Sequence, residues 1–215
     1  MHLENFIDHT LLRPTATGKD IIQLCTEALN YNFYGVCING CHLPLAKELL
    51  KDSKVKLVAV VGFPLGSMST KAKVNEAMVY MEQGAHELDM VLNIGWLRSG
   101  DYMAVQEEIR QVKEVVGNNV LKVILETCYL TDAEIITACN LAVNAKADFV
   151  KTSTGFGPRG ASIEDVILIK KAAGNKIKIK ASGGIKDAVT VQNYIDLGVA
   201  RIGTSSGVAI VVNQN

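Results

Sequence analysis

The sequence predicts an α/β chain folded as a (β/α)8 barrel with a short first strand, and three observations carry that expectation. Short β-rich runs alternate with amphipathic helical stretches from one end to the other with no linker between them, as βα units around a parallel sheet do. Seven such runs stand out, and eight strands are the usual way to close a barrel, so Ile7-Asp8-His9-Thr10 is read as the first strand. The alternative, an open doubly wound sheet, would place G-x-G-x-x-G after its first strand, and this chain does not. At 215 residues with 48% hydrophobic content the chain can bury a sizeable core, and we expect one domain over 1–215.

Each element has its own signal. After the first strand, Thr17 and Asp20 form a capping signal ahead of Ile21, Ile22, Leu24, Cys25, Ala28 and Leu29 at helical spacing. The second and third strands are read as Tyr34–Asn39 and Lys56–Val61, and the fourth as Glu87–Leu92. In the fourth, Leu88, Met90 and Leu92 share the face suited to helix packing, which sends Asp89 and Asn93 inward. The fifth strand, Leu121–Glu126, sets Lys122 and Glu126 on one face and Val123 and Leu125 on the other, making both charges candidates for an internal network. Thr131 with Glu134 and Ser162 with Asp165 announce two later helices, around the sixth strand at Phe149–Lys151. The seventh and eighth strands are Ile177–Lys180 and Arg201–Gly203. Alternation puts Lys178 on the face of Lys180, so an inward Lys180 implies that Lys178 points toward the lower end of the barrel interior.

Lys plus Arg balance Asp plus Glu at 22 each, so global charge points to neither nucleic acid nor an anionic membrane surface. No apolar run approaches the ~20 residues needed to span a bilayer, and Met1 to Asp8 lacks the regions of a signal peptide, so a cytoplasmic protein is expected. Five cysteines without C-x-x-C suit reduced thiols, and four histidines show no ligand spacing, so no bound metal is expected.

In such a barrel the C-terminal strand ends converge on one site. Here they offer Asp8, Cys37, Asn39, Gly62, Asp89, Asn93, Glu126, Lys151, Lys180 and Gly203. Two of these strands run from apolar residues through lysine into small ones, at Phe149-Val150-Lys151-Thr152-Ser153-Thr154-Gly155 and Ile177-Lys178-Ile179-Lys180-Ala181-Ser182-Gly183-Gly184. The ordinary reading of either lysine is a solvated strand end, and for Lys180 the neighbouring Lys176 and Lys178 favour it. Adjacent strands argue otherwise. Moving an amine from ~10.4 to ~7 takes roughly 4 to 5 kcal/mol, which burial plus one like charge supplies, and the product is a Schiff-base lysine at Lys151. Ser182-Gly183-Gly184 and Gly203-Thr204-Ser205-Ser206-Gly207 follow the last two strands, where such barrels hold phosphate on backbone N–H groups. A plain turn explains Gly-Gly equally well, but two stretches at consecutive strand ends favour a site for a substrate phosphate.

The chain resembles the deoxyribose-phosphate aldolase family, class I aldolases on a (β/α)8 barrel. The resemblance spans nearly the whole chain and rests on Ile7-Asp8-His9-Thr10, Val36-Cys37, Gly62-Phe63-Pro64-Leu65-Gly66, Glu87-Leu88-Asp89-Met90-Val91, Leu121 to Thr127, Phe149 to Phe156, Lys180 to Gly184 and Arg201 to Ser205. It implies reversible cleavage of 2-deoxy-D-ribose 5-phosphate to D-glyceraldehyde 3-phosphate and acetaldehyde, without metal or cofactor. By that resemblance Lys151 would form the Schiff base, Lys180 would tune its amine, and Asp89 would move protons through a water. Asp8 and Lys122 would orient the relay, with Cys37 lining the pocket. Gly155, Gly183, Gly184, Gly203, Ser205 and Ser206 would hold the phosphate. The implied partners are small phosphosugars and aldehydes, with a homodimer or higher homo-oligomer as the assembly.

The chain departs from the family pattern at several points. It stops at Val212-Asn213-Gln214-Asn215, without the terminal tyrosine that assists enamine protonation in many members, so slower turnover is expected. Phe156 stands where some relatives carry a phosphate-binding lysine, Gly40 where proline is frequent, and Lys178 where a smaller residue is common. Another Schiff-base aldolase or transaldolase, a silent phosphosugar-binding barrel and a metal-dependent aldolase remain alternatives at this point.

Overall fold

A computed structural model describes residues 2–213; Met1, Gln214 and Asn215, the last two belonging to the tyrosine-free terminus, lie outside the described residues. Eight parallel strands close in chain order: β1 (Ile7–Leu11), β2 (Gly35–Ile38), β3 (Lys56–Val61), β4 (Glu87–Val91), β5 (Val120–Ile124), β6 (Phe149–Lys151), β7 (Lys178–Ser182) and β8 (Arg201–Thr204). Closure is made by β8 on β1, with Ile7 opposite Ile202 and Asp8 opposite Gly203. The ring of helices comprises α1 (Gly18–Asn30), α2 (Leu43–Leu50), α3 (Thr70–Glu82), α4 (Ile94–Arg98), α5 (Tyr102–Val116), α6 (Asp132–Asn144), α7 (Ile163–Ala173), α8 (Ala188–Asp196) and α9 (Gly207–Val212).

The apolar core lies between the strands and this ring. Leu88, Met90, Leu121, Val123, Ile179, Ala181 and Ile202 point outward into it, so their alternating neighbours face the barrel axis. Each large apolar side chain buried there contributes about 1.5–3 kcal/mol. Two helices start on full capping boxes, Thr17 with Asp20 and Thr131 with Glu134, each worth about 1 kcal/mol. The third signal is met halfway. Ser162 accepts the Asp165 N–H, but the Asp165 carboxylate turns to Thr127 Oγ1 at 2.8 Å and to Arg159 instead of reciprocating.

Two strand ends differ from the sequence reading by two residues, and the other strand bounds lie within one residue of it. The fifth stops at Ile124, because Glu126 takes a left-handed backbone with φ +56° and leaves the ladder. The seventh runs on to Ser182, since Ala181 and Ser182 pair with Ile202 and Gly203 on β8.

Helix α3 docks unlike its neighbours, with a polar inner face on which Lys73 and Ala77 are the buried residues. Lys73 Nζ donates to the Val91 carbonyl and to Glu108 Oε2 of α5, both at 2.8 Å and fully buried. One turn on, Glu76 accepts the Gly62 N–H at 2.8 Å and the Tyr80 hydroxyl at 2.8 Å. The Tyr80 ring occupies the space a side chain at Gly40 would need, which accounts for glycine there. One helix thus clamps the ends of β3 and β4 and the turn after β2.

Candidate active site

Register assembles the site. Parallel pairing sets Lys151 opposite Lys180 on β6 and β7, and Asp89 opposite Lys122 on β4 and β5. Glycine at 203 on β8 leaves the room that Lys180 needs, since a Cβ there would sit 3.0 Å from Lys180 Cε. The three amines then meet one carboxylate: Asp89 Oδ2 accepts from Lys151 Nζ at 2.9 Å and Lys180 Nζ at 2.8 Å, while Oδ1 accepts from Lys122 Nζ at 2.8 Å. Lys180 also donates to Asp8 Oδ2. The nitrogens of Lys151 and Lys180 are therefore separated by no more than the two bonds laid end to end.

Charge in this interior is held by partners rather than by water. Burial pushes the Asp89 carboxyl up, but Lys122, Lys151 and Lys180 together hold it well below the usual range. Burial likewise opposes ionisation of Asp8, and Lys180, Arg201 and Lys122 overcome it, lowering it to about 2. For Lys180, burial favours the neutral amine, yet Asp8 and Asp89 outweigh it and raise the group above an ordinary lysine; Lys122 is raised too, with Asp89 the largest support against burial. Both stay ammonium ions at neutral pH. Burial raises the Cys37 thiol, whose Sγ lies 4.0 Å from Asp89 Oδ2 among Leu12, Val58 and Val60.

Lys151 alone of these amines opens onto a cavity of about 350 Å³ at the C-terminal mouth. Its lining also includes Gly155, Gly183, Gly184, Gly203, Ser205 and Ser206. Gly183 has φ +86°, and a Cβ there would press to 2.9 Å on the Gly160 backbone, so this turn requires glycine. Phe156 also lines the cavity, edge-on to Phe63, with ring centroids 5.3 Å apart and planes at 90°.

The sequence itself places this constellation in a group of proteins. A family model described as DeoC/LacD family aldolase matches residues 5–213. The chain belongs to the DeoC/LacD family of aldolases. Among curated relatives of this aldolase, the deoxyribose-phosphate aldolase of Mycoplasmopsis pulmonis is 51% identical over 214 residues, covering 100% of this chain and 97% of the relative. That of Carboxydothermus hydrogenoformans is 53% identical over 213 residues, covering 97% and 93%. The solved deoxyribose phosphate aldolase of Aeropyrum pernix, described by its tetrameric structure, superposes with a TM-score of 0.89 at 33% identity, covering 98% of this chain and 89% of that one.

Within this DeoC/LacD family aldolase the structure brings Asp8, Cys37, Asp89, Lys122, Lys151 and Lys180 together as one buried cluster, with the six glycine and serine positions around the cavity above it. Three strand-end residues serve elsewhere. Glu126, expected in the charge network, instead accepts the Thr154 N–H at 3.1 Å and its hydroxyl, latching the loop that presents Gly155 and Phe156. Asn93 caps α4 through the Trp96 N–H at 3.1 Å, and Asn39 donates to the Leu12 carbonyl at 3.1 Å. Lys178 sits exposed at the lower rim, its ammonium 5.6 Å from the Phe149 ring centroid.

The sequence reading missed Glu87, Arg201 and Tyr34 inside the barrel, and Arg13 and Lys186 on the cavity wall. Period-2 alternation held the signal for the first two, because Glu87 shares a face with Asp89, and Arg201 with Gly203. Lys186 announced itself only as a cation two residues past Gly184.

Proposed function

We propose that this chain is a class I aldolase that reversibly cleaves 2-deoxy-D-ribose 5-phosphate to D-glyceraldehyde 3-phosphate and acetaldehyde through a Schiff base on Lys151. One observation carries this reading: the only amine of the buried cluster that opens onto the cavity shares a carboxylate oxygen with a permanent ammonium. The free amine of Lys151 adds to the C1 aldehyde, and loss of water gives an iminium. The C3 hydroxyl then gives up its proton and the C2–C3 electron pair moves toward the iminium, so that glyceraldehyde 3-phosphate leaves and an enamine stays. Protonation at C2 and hydrolysis release acetaldehyde and restore the amine.

Asp89 touches the reacting nitrogen and serves as the acid/base at the carbinolamine, reaching the C3 hydroxyl through a water. Lys180 supplies fixed positive charge beside the amine, while Asp8 and Lys122 hold Lys180 and Asp89 in place. Cys37 packs beneath. The backbone around Gly155, Gly183, Gly184 and Gly203 and the hydroxyls of Ser205 and Ser206 hold the phosphate, with Lys186 adding charge from the same cavity lining. Neither metal nor organic cofactor enters these steps.

The reading extends to the whole chain, 1–215, as one barrel domain. Five free thiols suit a cytoplasmic setting. The described residues contain no helix long and apolar enough to cross a membrane. A homo-oligomer is supported by the tetrameric structure of the Aeropyrum pernix relative, and sedimentation would check it.

Reductive trapping tests the chemistry. Incubation with acetaldehyde and borohydride, then peptide mapping, is expected to place the adduct on Lys151. An adduct on Lys180 or Lys122, or none, would overturn the assignment.

A further inference from the structure

Below the catalytic lysines lies a tier of charge that the mechanism leaves unused. Arg201 Nη1 reaches Asp8 Oδ1 at 3.0 Å and Glu87 Oε2 at 3.3 Å, and its guanidinium carbon stands 3.2 Å from the centroid of the Tyr34 ring. Tyr34 donates its hydroxyl to Glu87 Oε1 at 2.9 Å, and Glu87 Oε2 also pairs with Lys122 Nζ at 2.5 Å. This joins the upper and lower tiers without a break. Lys122, Lys151, Lys180 and Arg201 form one ion-pair network with Asp8, Glu87 and Asp89, and none of the seven is more than 5% exposed.

The composition of that network has a chemical consequence. Four cationic side chains face three carboxylates, and a cluster out of contact with water is least costly when its charges balance. Arginine keeps its proton in any protein. Lys122 and Lys180 each grip two carboxylates, whereas Lys151 grips one oxygen of one carboxylate and borders the cavity. The count leaves one positive charge in excess, and of the four cations Lys151 has the fewest carboxylate contacts.

We infer that Glu87 and Arg201 are positioning residues that set the protonation state of Lys151 through the charge count of this closed network. The inference rests on the reading of Lys151 as the nucleophile. The charged and titratable groups of the interior that holds Lys151 are Asp89 and Glu87 from β4, Lys122 from β5, Lys180 from β7, Asp8 from β1, Arg201 from β8 and Cys37 from β2, with Tyr34 just ahead of β2. From β3 come the apolar Val58 and Val60, Glu126 is turned to Thr154, and Lys178 lies at the rim over Phe149.

The test is the pH dependence of trapping on Lys151 with acetaldehyde and cyanoborohydride in the full chain, followed by peptide mapping. Glu87→Gln removes a negative charge and leaves the network more positive, so the midpoint of the acidic limb is expected to fall by about one pH unit. Arg201→Met removes a positive charge, lets an ammonium at Lys151 balance the carboxylates, and should raise the midpoint by a similar amount. Arg201→Lys keeps the count and should return the native midpoint. Loss of packing alone has no reason to move the profile in opposite directions. If Arg201→Met does not fold, Glu87→Gln and Arg201→Lys decide between them. Midpoints that stay put in Glu87→Gln, or that move the same way in both charge-changing variants, overturn the inference while an adduct on Lys151 leaves its catalytic assignment intact. An adduct on another lysine overturns both.

Discussion

Asp89 is the residue on which the site turns, because its two oxygens receive all three interior lysines. Replacing it with asparagine keeps the shape but removes the charge and the proposed acid/base. Asp89→Asn is expected to lower kcat by about 10²- to 10⁴-fold, read in a coupled assay of glyceraldehyde 3-phosphate release. Lys151→Ala should abolish the borohydride adduct while leaving the circular dichroism spectrum unchanged, since truncation removes the cation with the fewest partners. Retained trapping would sink the nucleophile assignment. Glu126 shows what residue-level reading misses: alternation places it correctly for an unbroken strand, but a left-handed backbone turns its carboxylate to Thr154. Nothing in the residue type distinguishes those two outcomes.

At the scale of elements, α3 is the unusual part. Its inner face holds β3 and β4 by hydrogen bonds to Gly62 and Val91 rather than by apolar packing alone. Lys73→Met would strand Glu108, whose Oε1 already lacks a hydrogen-bond partner, as a buried unpaired carboxylate. A loss of about 3–5 kcal/mol in urea unfolding is expected, with much of it regained in a Lys73→Met, Glu108→Leu double variant. The strand pattern was legible because outward apolar residues recur at every second position, as at Leu88 and Met90. The ends of β5 and β7 were not, since Ser182 stays in the ladder only through its partner Gly203 on β8. Likewise, Arg201 and Glu87 stand 114 positions apart in sequence and meet only once the barrel closes.

For the whole molecule, a charged interior ties stability to pH. Asp8 is held at about 2, below its ordinary value, so its contribution is fully present above the unfolded carboxyl's pKa and is lost as pH falls through about 2. Asp89 is shifted the same way and adds to the effect. Thermal unfolding followed by circular dichroism should therefore show stability falling steadily from about pH 4 downward; a melting temperature flat down to pH 2 would contradict it.

In the proposed mechanism the iminium would place its positive charge on the Lys151 nitrogen, which already lies 2.9 Å from Asp89 Oδ2. The dipoles and ions that must solvate this intermediate are thus already oriented before the sugar arrives, held by β-strand hydrogen bonds instead of by mobile water. Little reorganisation energy is left for the reaction itself to supply, and the rigidity of the closed strand ring becomes part of the chemistry.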